Sequence, residues 1–285
     1  MPITLDWAWV INSTSFIINF FSKPMYKRKS DIQTLSLMKL HKALLILTLS
    51  LLFGSCGKDN AFDLFQGSGP IVKEQRDLSG FFDKISLFNN VNLVLSQGPN
   101  TSITVEGGNN LLSDITTEIG EDSTLTIRNL NKYNWVRSYE KEITVYLQIN
   151  KLRKIRYDSS ADITTIDTIR QDSLWVEAWG GSGTIKMAVD CGTLWIIQHY
   201  GSMDFVISGK SGVTALYAAS YGPLHCQNLR SDDTYITSDG TNDCYINANI
   251  WIDAHINSLG NIYYTGNPGK VTKAGTGSGK LIHVE

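Results

Sequence analysis

Downstream of Phe81 the chain alternates between apolar and polar positions. Ile143, Val145, Leu147 and Ile149 recur with a period of two, the mark of a strand with one buried face. Segments 91–96, 102–106 and 124–128 are equally short, rich in β-branched residues, and bounded by Gly, Asn, Asp or Ser. These bounds are turn chemistry. Helical periodicity is almost absent beyond Phe81, so the pattern predicts an all-β body.

The second half repeats. Leu174-Trp175-Val176-Glu177-Ala178-Trp179 aligns with Leu194-Trp195-Ile196-Ile197-Gln198-His199, then with the segments opening at Leu216, Thr234 and Ile250. Each ends at a glycine corner, Gly181, Gly201, Gly222, Gly240 and Gly260, spaced 20, 21, 18 and 20 residues. Ser160 and Gly277 look like the flanking corners. A second short strand is expected after each corner. A period near 20 is too short for a propeller blade and lacks the leucine-rich pattern. It suits a parallel β-helix, a solenoid of roughly 20-residue rungs stacked ~4.8 Å apart, with a β region at its N-terminal side. Alternation turns Leu174, Val176, Ala178, Leu194, Ile196, Gln198, Leu216, Ala218, Ser220, Ile250, Ile252 and Ala254 inward. In the second strands Ile185, Phe205, Cys226, Cys244 and Tyr264 form another inward stack.

The front of the chain changes the picture. Met38 opens a signal-like layout: Lys39, His41 and Lys42, an apolar run of 11 residues from Ala43 to Phe53, then Gly54, Ser55 and Cys56. The run is too short to span a membrane as a helix. Phe53-Gly54-Ser55-Cys56 resembles a bacterial lipobox, in which the cysteine becomes the lipidated first residue, although Phe53 stands where Leu is usual. A plain signal peptide is the alternative. Residues 38–55 are thus expected to be a lipoprotein signal and 56–70 a tether. Residues 1–37 are expected to be an over-extended gene start. Residues 71–285 form a single β-helical domain in this reading. The chain of 285 residues is 42% hydrophobic and 18% charged, with a net charge of −2. Residues 1–55 hold six Lys/Arg and two Asp/Glu, which leaves the remainder 19 basic and 25 acidic residues, a net of −6. An acidic body without a basic stripe argues against nucleic acid as a partner.

Two stretches carry a family resemblance. The first holds Phe81-Phe82-Asp83-Lys84-Ile85 and Val91-Asn92-Leu93-Val94-Leu95-Ser96-Gln97-Gly98. The second runs Leu259-Gly260-Asn261-Ile262-Tyr263-Tyr264-Thr265-Gly266-Asn267-Pro268 and closes on Gly277-Ser278-Gly279-Lys280-Leu281-Ile282. Together they resemble the head GIN domain of bacterial auto-transporter adhesins. The resemblance implies a right-handed parallel β-helix in an exported protein, and it brings no catalytic residues to transfer.

The outward positions carry the candidate chemistry. Trp175, Trp195, Tyr217, Tyr235 and Trp251 should stack rung on rung, beside a second column of Trp179, His199, Tyr221, Asp239 and His255. Outward aromatics can seat sugar rings or a protein surface. The alternative is that N-terminal strands, or the loop 129–140 with Tyr133 and Trp135, cover them. Asp204, His225 and Asp243 are weak candidates for a metal or acid–base column, against a plain surface ion-pair column. Cys226 and Cys244 should be stacked neighbours, bridged or free, while Cys191 sits free in a turn. Residues 274–281 imitate a phosphate loop but have Ala274 and Leu281 at defining positions, and 180–185 lacks the Asp of calcium-binding repeats. HExxH and GxSxG do not occur. No cofactor is therefore expected. The chain reads as a lipid-anchored outer-membrane binder, not an enzyme, whose partners are the membrane and a glycan or cell-surface protein. A polysaccharide-active enzyme and a purely structural envelope protein are the alternatives. Ligand and oligomeric state are not legible.

Overall fold

The computed structural model describes residues 67–131 and 142–285, within the unit Phe62–Glu285. The expected signal, Cys56 and most of the loop 129–140 lie outside the described residues. The strands in chain order are β1 (Ile71–Arg76), β2 (Lys84–Asn89), β3 (Asn92–Gln97), β4 (Ser102–Gly108), β5 (Ile115–Ile119) and β6 (Thr124–Asn129). Next come β7 (Thr144–Ile149), β8 (Lys154–Ser159), β9 (Ile163–Thr165), β10 (Ile169–Gly181), β11 (Thr184–Gln198) and β12 (Asp204–Ala218). The last are β13 (Leu224–Ser238), β14 (Cys244–Ile256), β15 (Ile262–Thr265), β16 (Lys270–Ala274) and β17 (Leu281–His283). All belong to one hydrogen-bonded sheet wound into a β-solenoid of about six turns.

Each turn has two faces. Face A stacks β6, β2, β8, then the C-terminal halves of β10 to β14, then β16. Face B stacks β7, β3, β9, then the N-terminal halves of β11 to β14, then β15 and β17. All these pairings are parallel. The expected second strand of one repeat and first strand of the next are continuous: β11, β12 and β13 each run 15 residues and bend in the middle. Small residues occupy that bend, where Cys191, Ser211, Ser231 and Ala248 lie in register. Ser211 and Ser231 each donate to a carbonyl two residues on, at 2.7 and 2.9 Å, which fixes the change of direction.

The expected corners all fall between face A and face B, but the glycines serve two different needs. Gly181 and Gly201 have φ of +106° and +111°, conformations that side chains disfavour. Gly222, Gly240 and Gly260 lie so close to the rung below that a Cβ would come within 1.8, 2.6 and 2.2 Å of a carbonyl oxygen.

The core lies between the faces. On face A the inward column reads Leu174, Leu194, Thr214, Thr234, Ile252 and Val271, followed by Val176, Ile196, Leu216, Ile236, Ala254 and Lys273. On face B it reads Ile163, Ile185, Phe205, Leu224, Cys244, Ile262 and Leu281. Two expectations need correction. Leu216 pairs with Ile196, two places from its expected partner, and Ile250 is 58% exposed at the bend, with Ile252 in its place. Cys226 is buried but lies two residues along the strand from Leu224, the partner of Cys244. The two thiols are therefore diagonal, and all three described cysteines are free. For Leu216 the motif alignment itself is two places off, since β11 and β12 pair in unbroken register; for Ile250 and Cys226 the cause is uneven rung length. Register shifts at 206–208, 225–230 and 231–233 absorb residues that counting from glycine to glycine assigns to the strands.

The two ends of the core are finished differently. At the N-terminal end the β6–β7 turn packs outside the β2–β3 turn, though it comes later in the chain. Antiparallel β5, β4 and β1 extend this cap. Arg76 donates to the carbonyls of Ile115 and Leu112, tying β1 to it. Residues 67–70, the end of the expected tether, bond the cap through Asn109 and Asn110. At the other end Lys273 takes a core column position and its Nζ donates to the Gly279 carbonyl at 3.0 Å.

Candidate binding face

The outward side of face A places three columns side by side. One column reads Lys84, Lys154, Trp175, Trp195, Ala215, Tyr235 and Asp253. Its neighbour reads Ser86, Arg156, Glu177, Ile197, Tyr217, Thr237 and His255. The third carries Phe88 and Asp158, then Trp179 and His199. Trp179 stands in an extra position of β10, where pairing shifts between Ala178 and Gly180. The bulge moves its indole toward Arg156 on the preceding rung.

The structure thus brings five of the nine expected residues together and separates the others. Trp175 and Trp195 stack at 5.5 Å between centroids, and Trp179 and His199 at 3.9 Å. His199 meets Tyr217 edge-on at 6.2 Å. The Tyr217 hydroxyl hydrogen-bonds Asp239, which raises its phenol above the usual range. The ladder then breaks: Ala215 follows Trp195, so Tyr217 is not stacked on the tryptophans. Tyr235 and Trp251 form a separate edge-to-face pair at 5.1 Å, with Lys270 at 4.0 Å over Trp251. His255 shares the Tyr217 column and lies 3.8 Å from Asp253. Tyr221 is on the corner, 71% exposed, its N–H bonded to the Gly201 carbonyl.

The acid–His–acid column is not formed. His225 pairs with Val206 and Tyr245, whereas Asp204 pairs with Thr184. Asp243 accepts a backbone hydrogen bond from Asn261 at 2.8 Å. The shift at 206–208 and the one-residue shorter corner at Pro223 put His225 out of line with the acids. No group of three potential metal ligands occurs among the described residues.

Beside the tryptophans lies an open cleft of about 360 Å³ that the sequence reading missed. Lys84, Phe88, Asp122, Arg128, Lys154, Arg156 and Glu177 line it. The Arg128 guanidinium lies 4.2 Å from the Phe88 ring centre. That of Arg156 lies between Phe88 at 5.9 Å and Trp179 at 5.3 Å. Lys84 pairs with Asp122 at 3.1 Å. Lys154 pairs with Glu177 at 2.8 Å and sits 5.6 Å over Trp175, whose Nε1 donates to Glu177 at 3.0 Å. Burial pushes the Glu177 carboxyl up. Lys154 and the indole N–H groups of Trp179 and Trp175 outweigh it, so the carboxyl lies below its ordinary value. Arg128 and Arg156 form no ion pair with a described residue. These cations come from β2, β6 and β8, which precede the clear repeat. The alternation of each strand signals them: Lys84, Ser86 and Phe88 against Ile85 and Leu87, Arg128 against Ile127, and Lys154 and Arg156 against Ile155 and Tyr157.

Among the described residues, face B holds the one ladder of three stacked rings. His225, Tyr245 and Tyr263 stack at 5.2 and 5.1 Å on consecutive rungs. Their spacings of 20 and 18 residues follow the repeat and were a usable signal.

Comparison with known proteins agrees with this architecture. A family profile described as "Putative auto-transporter adhesin, head GIN domain" matches residues 81–268. A crystal structure from Bacteroides fragilis, described as a "putative adhesin", superposes with a TM-score of 0.69 at 22% identity, over 75% of this chain and 97% of its own. One from Parabacteroides distasonis, described as a "putative lipid binding protein", gives 0.63 at 17% identity, over 77% and 98%. A "putative adhesin" of Parabacteroides merdae gives 0.51 at 14% identity, over 77% and 98%. At such identities the likeness is one of fold. No protein of curated function matches the chain. The profile covers well over half of the sequence, and the chain belongs to this head GIN domain family.

Proposed function

We propose that this protein is an exported, lipid-anchored envelope protein that binds a glycan or a cell-surface partner through the outward side of face A. The lipobox-like Phe53-Gly54-Ser55-Cys56 supports the anchor at Cys56, with the outer membrane as its place. The observation that carries the binding role is the contiguous surface of Trp175, Trp179, Trp195, His199 and Tyr217 beside an open, cation-lined cleft. Aromatic faces seat the apolar faces of sugars, and fixed polar groups orient them. The acids of the cleft support binding over hydrolysis. A glycosidase needs one carboxyl raised to act as an acid, whereas both are lowered here, Asp122 by the Thr124 hydroxyl and Lys84, and Glu177 by Lys154 and the indole N–H groups.

The test is a glycan-array and cell-adhesion comparison of residues 62–285 with a Trp179→Ala variant, with folding checked by circular dichroism. Trp179 stands in a bulge outside the paired register, so removing its ring breaks no backbone pair. Binding by the parent and its loss in the variant is the expected result. Undiminished binding by the folded variant would exclude this face. For the anchor, metabolic labelling with a fatty acid should mark the wild-type chain and not Cys56→Ala.

A further inference from the structure

We infer that the cleft beside Trp179 takes an acidic polysaccharide, a chain of uronate-type sugars whose carboxylates meet Arg128 and Arg156. This rests on the binding reading above and names its ligand class.

Charge is the first argument. The body beyond residue 55 carries a net of −6, yet this cleft gathers Lys84, Arg128, Lys154 and Arg156. Asp122 and Glu177 neutralise the two lysines, and nothing among the described residues neutralises the two arginines. Arg156 Nε is buried without a hydrogen-bond partner, so its charge is not met from within the fold. An anion with two separated charges would complete the site.

Geometry is the second. Both guanidinium groups lie against the Phe88 ring, and Arg156 against Trp179 as well. The rings flank the guanidinium groups, whose remaining N–H groups can donate to a carboxylate. Trp179 and its partner His199 offer an aromatic surface alongside. The arginines stand on β6 and β8, with β2 and Phe88 between them. They are thus two rungs apart, ~10 Å at the usual strand spacing. Two cations carried on separate rungs suit successive charges on an extended chain better than a single small anion. Nucleic acid is disfavoured because its phosphates need many cations in a row, and the rungs beyond place Tyr235, Asp239 and Asp253 on this face.

The test uses residues 62–285. Nearly the whole Bacteroides fragilis chain is matched by this part of the protein, so the fold stands alone there. Titration calorimetry compares polygalacturonate oligomers with the same oligomers fully methyl-esterified, which keeps the rings and removes the charge. Affinity should be at least about tenfold higher for the acid form and fall between about 50 and 300 mM salt. Arg128→Gln/Arg156→Gln should bring the affinity for the acid down by at least about tenfold, so that acid and ester no longer differ. Equal binding of acid and ester would overturn the inference but leave the face as a glycan binder. No binding of either, while the array reports neutral glycans, would overturn it too. Duplex DNA or anionic phospholipid vesicles binding as tightly as the acid would reduce the cleft to an unselective charge and overturn it. The acid–ester comparison needs no variant to fold.

Discussion

Glu177 shows what a single buried carboxylate does on an otherwise outward face. It is 7% exposed, paired with Lys154 and bonded by Trp175, and its carboxyl lies below the usual 4.5. A depressed carboxyl stabilises the fold above its unfolded value, and that stability is lost as pH falls through the folded value. Melting temperature should therefore drop on acidification below about pH 4.5, and Glu177→Gln should remove part of that drop. Scanning calorimetry of both proteins across the acid range checks this; parallel acid limbs would contradict it. The thiols behave oppositely. Burial pushes Cys191 up to about 11 and Cys244 up to about 12, and raises Cys226 also. Thiolate is the reactive form. In residues 62–285 a thiol reagent at neutral pH should therefore modify none of the three until denaturant is added.

Elements explain which parts of the fold are legible. Alternation and glycine corners define the solenoid because each rung must bury one face and clear the rung below. Gly181 has φ +106° and its Cβ would fall 1.7 Å from the Ser159 carbonyl oxygen. Gly181→Ala should therefore cost at least about 3 kcal/mol, read as a lower urea midpoint. Register is less legible. Register changes no composition, yet the unbroken β11–β12 pairing sets Tyr217 against Ile197 instead of a tryptophan, and the shift at 206–208 helps put His225 out of line with the acids. The rungs β2, β6 and β8 break the repeat altogether, so Phe88, Arg128 and Arg156 gave no ladder to read. The core columns also contain Thr214 and Thr234, buried, with hydroxyls that have no partner among the described residues. An isosteric Thr234→Val should stabilise the domain by about 1 kcal/mol in the same titration, and a loss instead would point to a hydrogen bond made on folding.

At the scale of the whole molecule the two ends are unlike. The N-terminal end is closed by antiparallel strands, whereas the C-terminal end has one inward lysine over a last rung whose Val271 is 42% exposed. Inward charge at a sheet edge discourages edge-to-edge pairing. Lys273→Val should therefore make the protein self-associate with concentration, seen by light scattering after size-exclusion chromatography. A variant that stays as dispersed as the parent would deny Lys273 that role. The interleaved N-terminal end has a consequence in time. Lys84–Asn89 is flanked by Thr124–Asn129 on one side and Lys154–Ser159 on the other. Its neighbours are thus 40 and 70 residues later in the chain. A chain emerging from a ribosome or a translocation pore in sequence order cannot complete its first turn until Ser159 is out. Assembly of this end waits on long loop closures, which slows folding, and the early strands stay extended for as long as the later ones are still in transit.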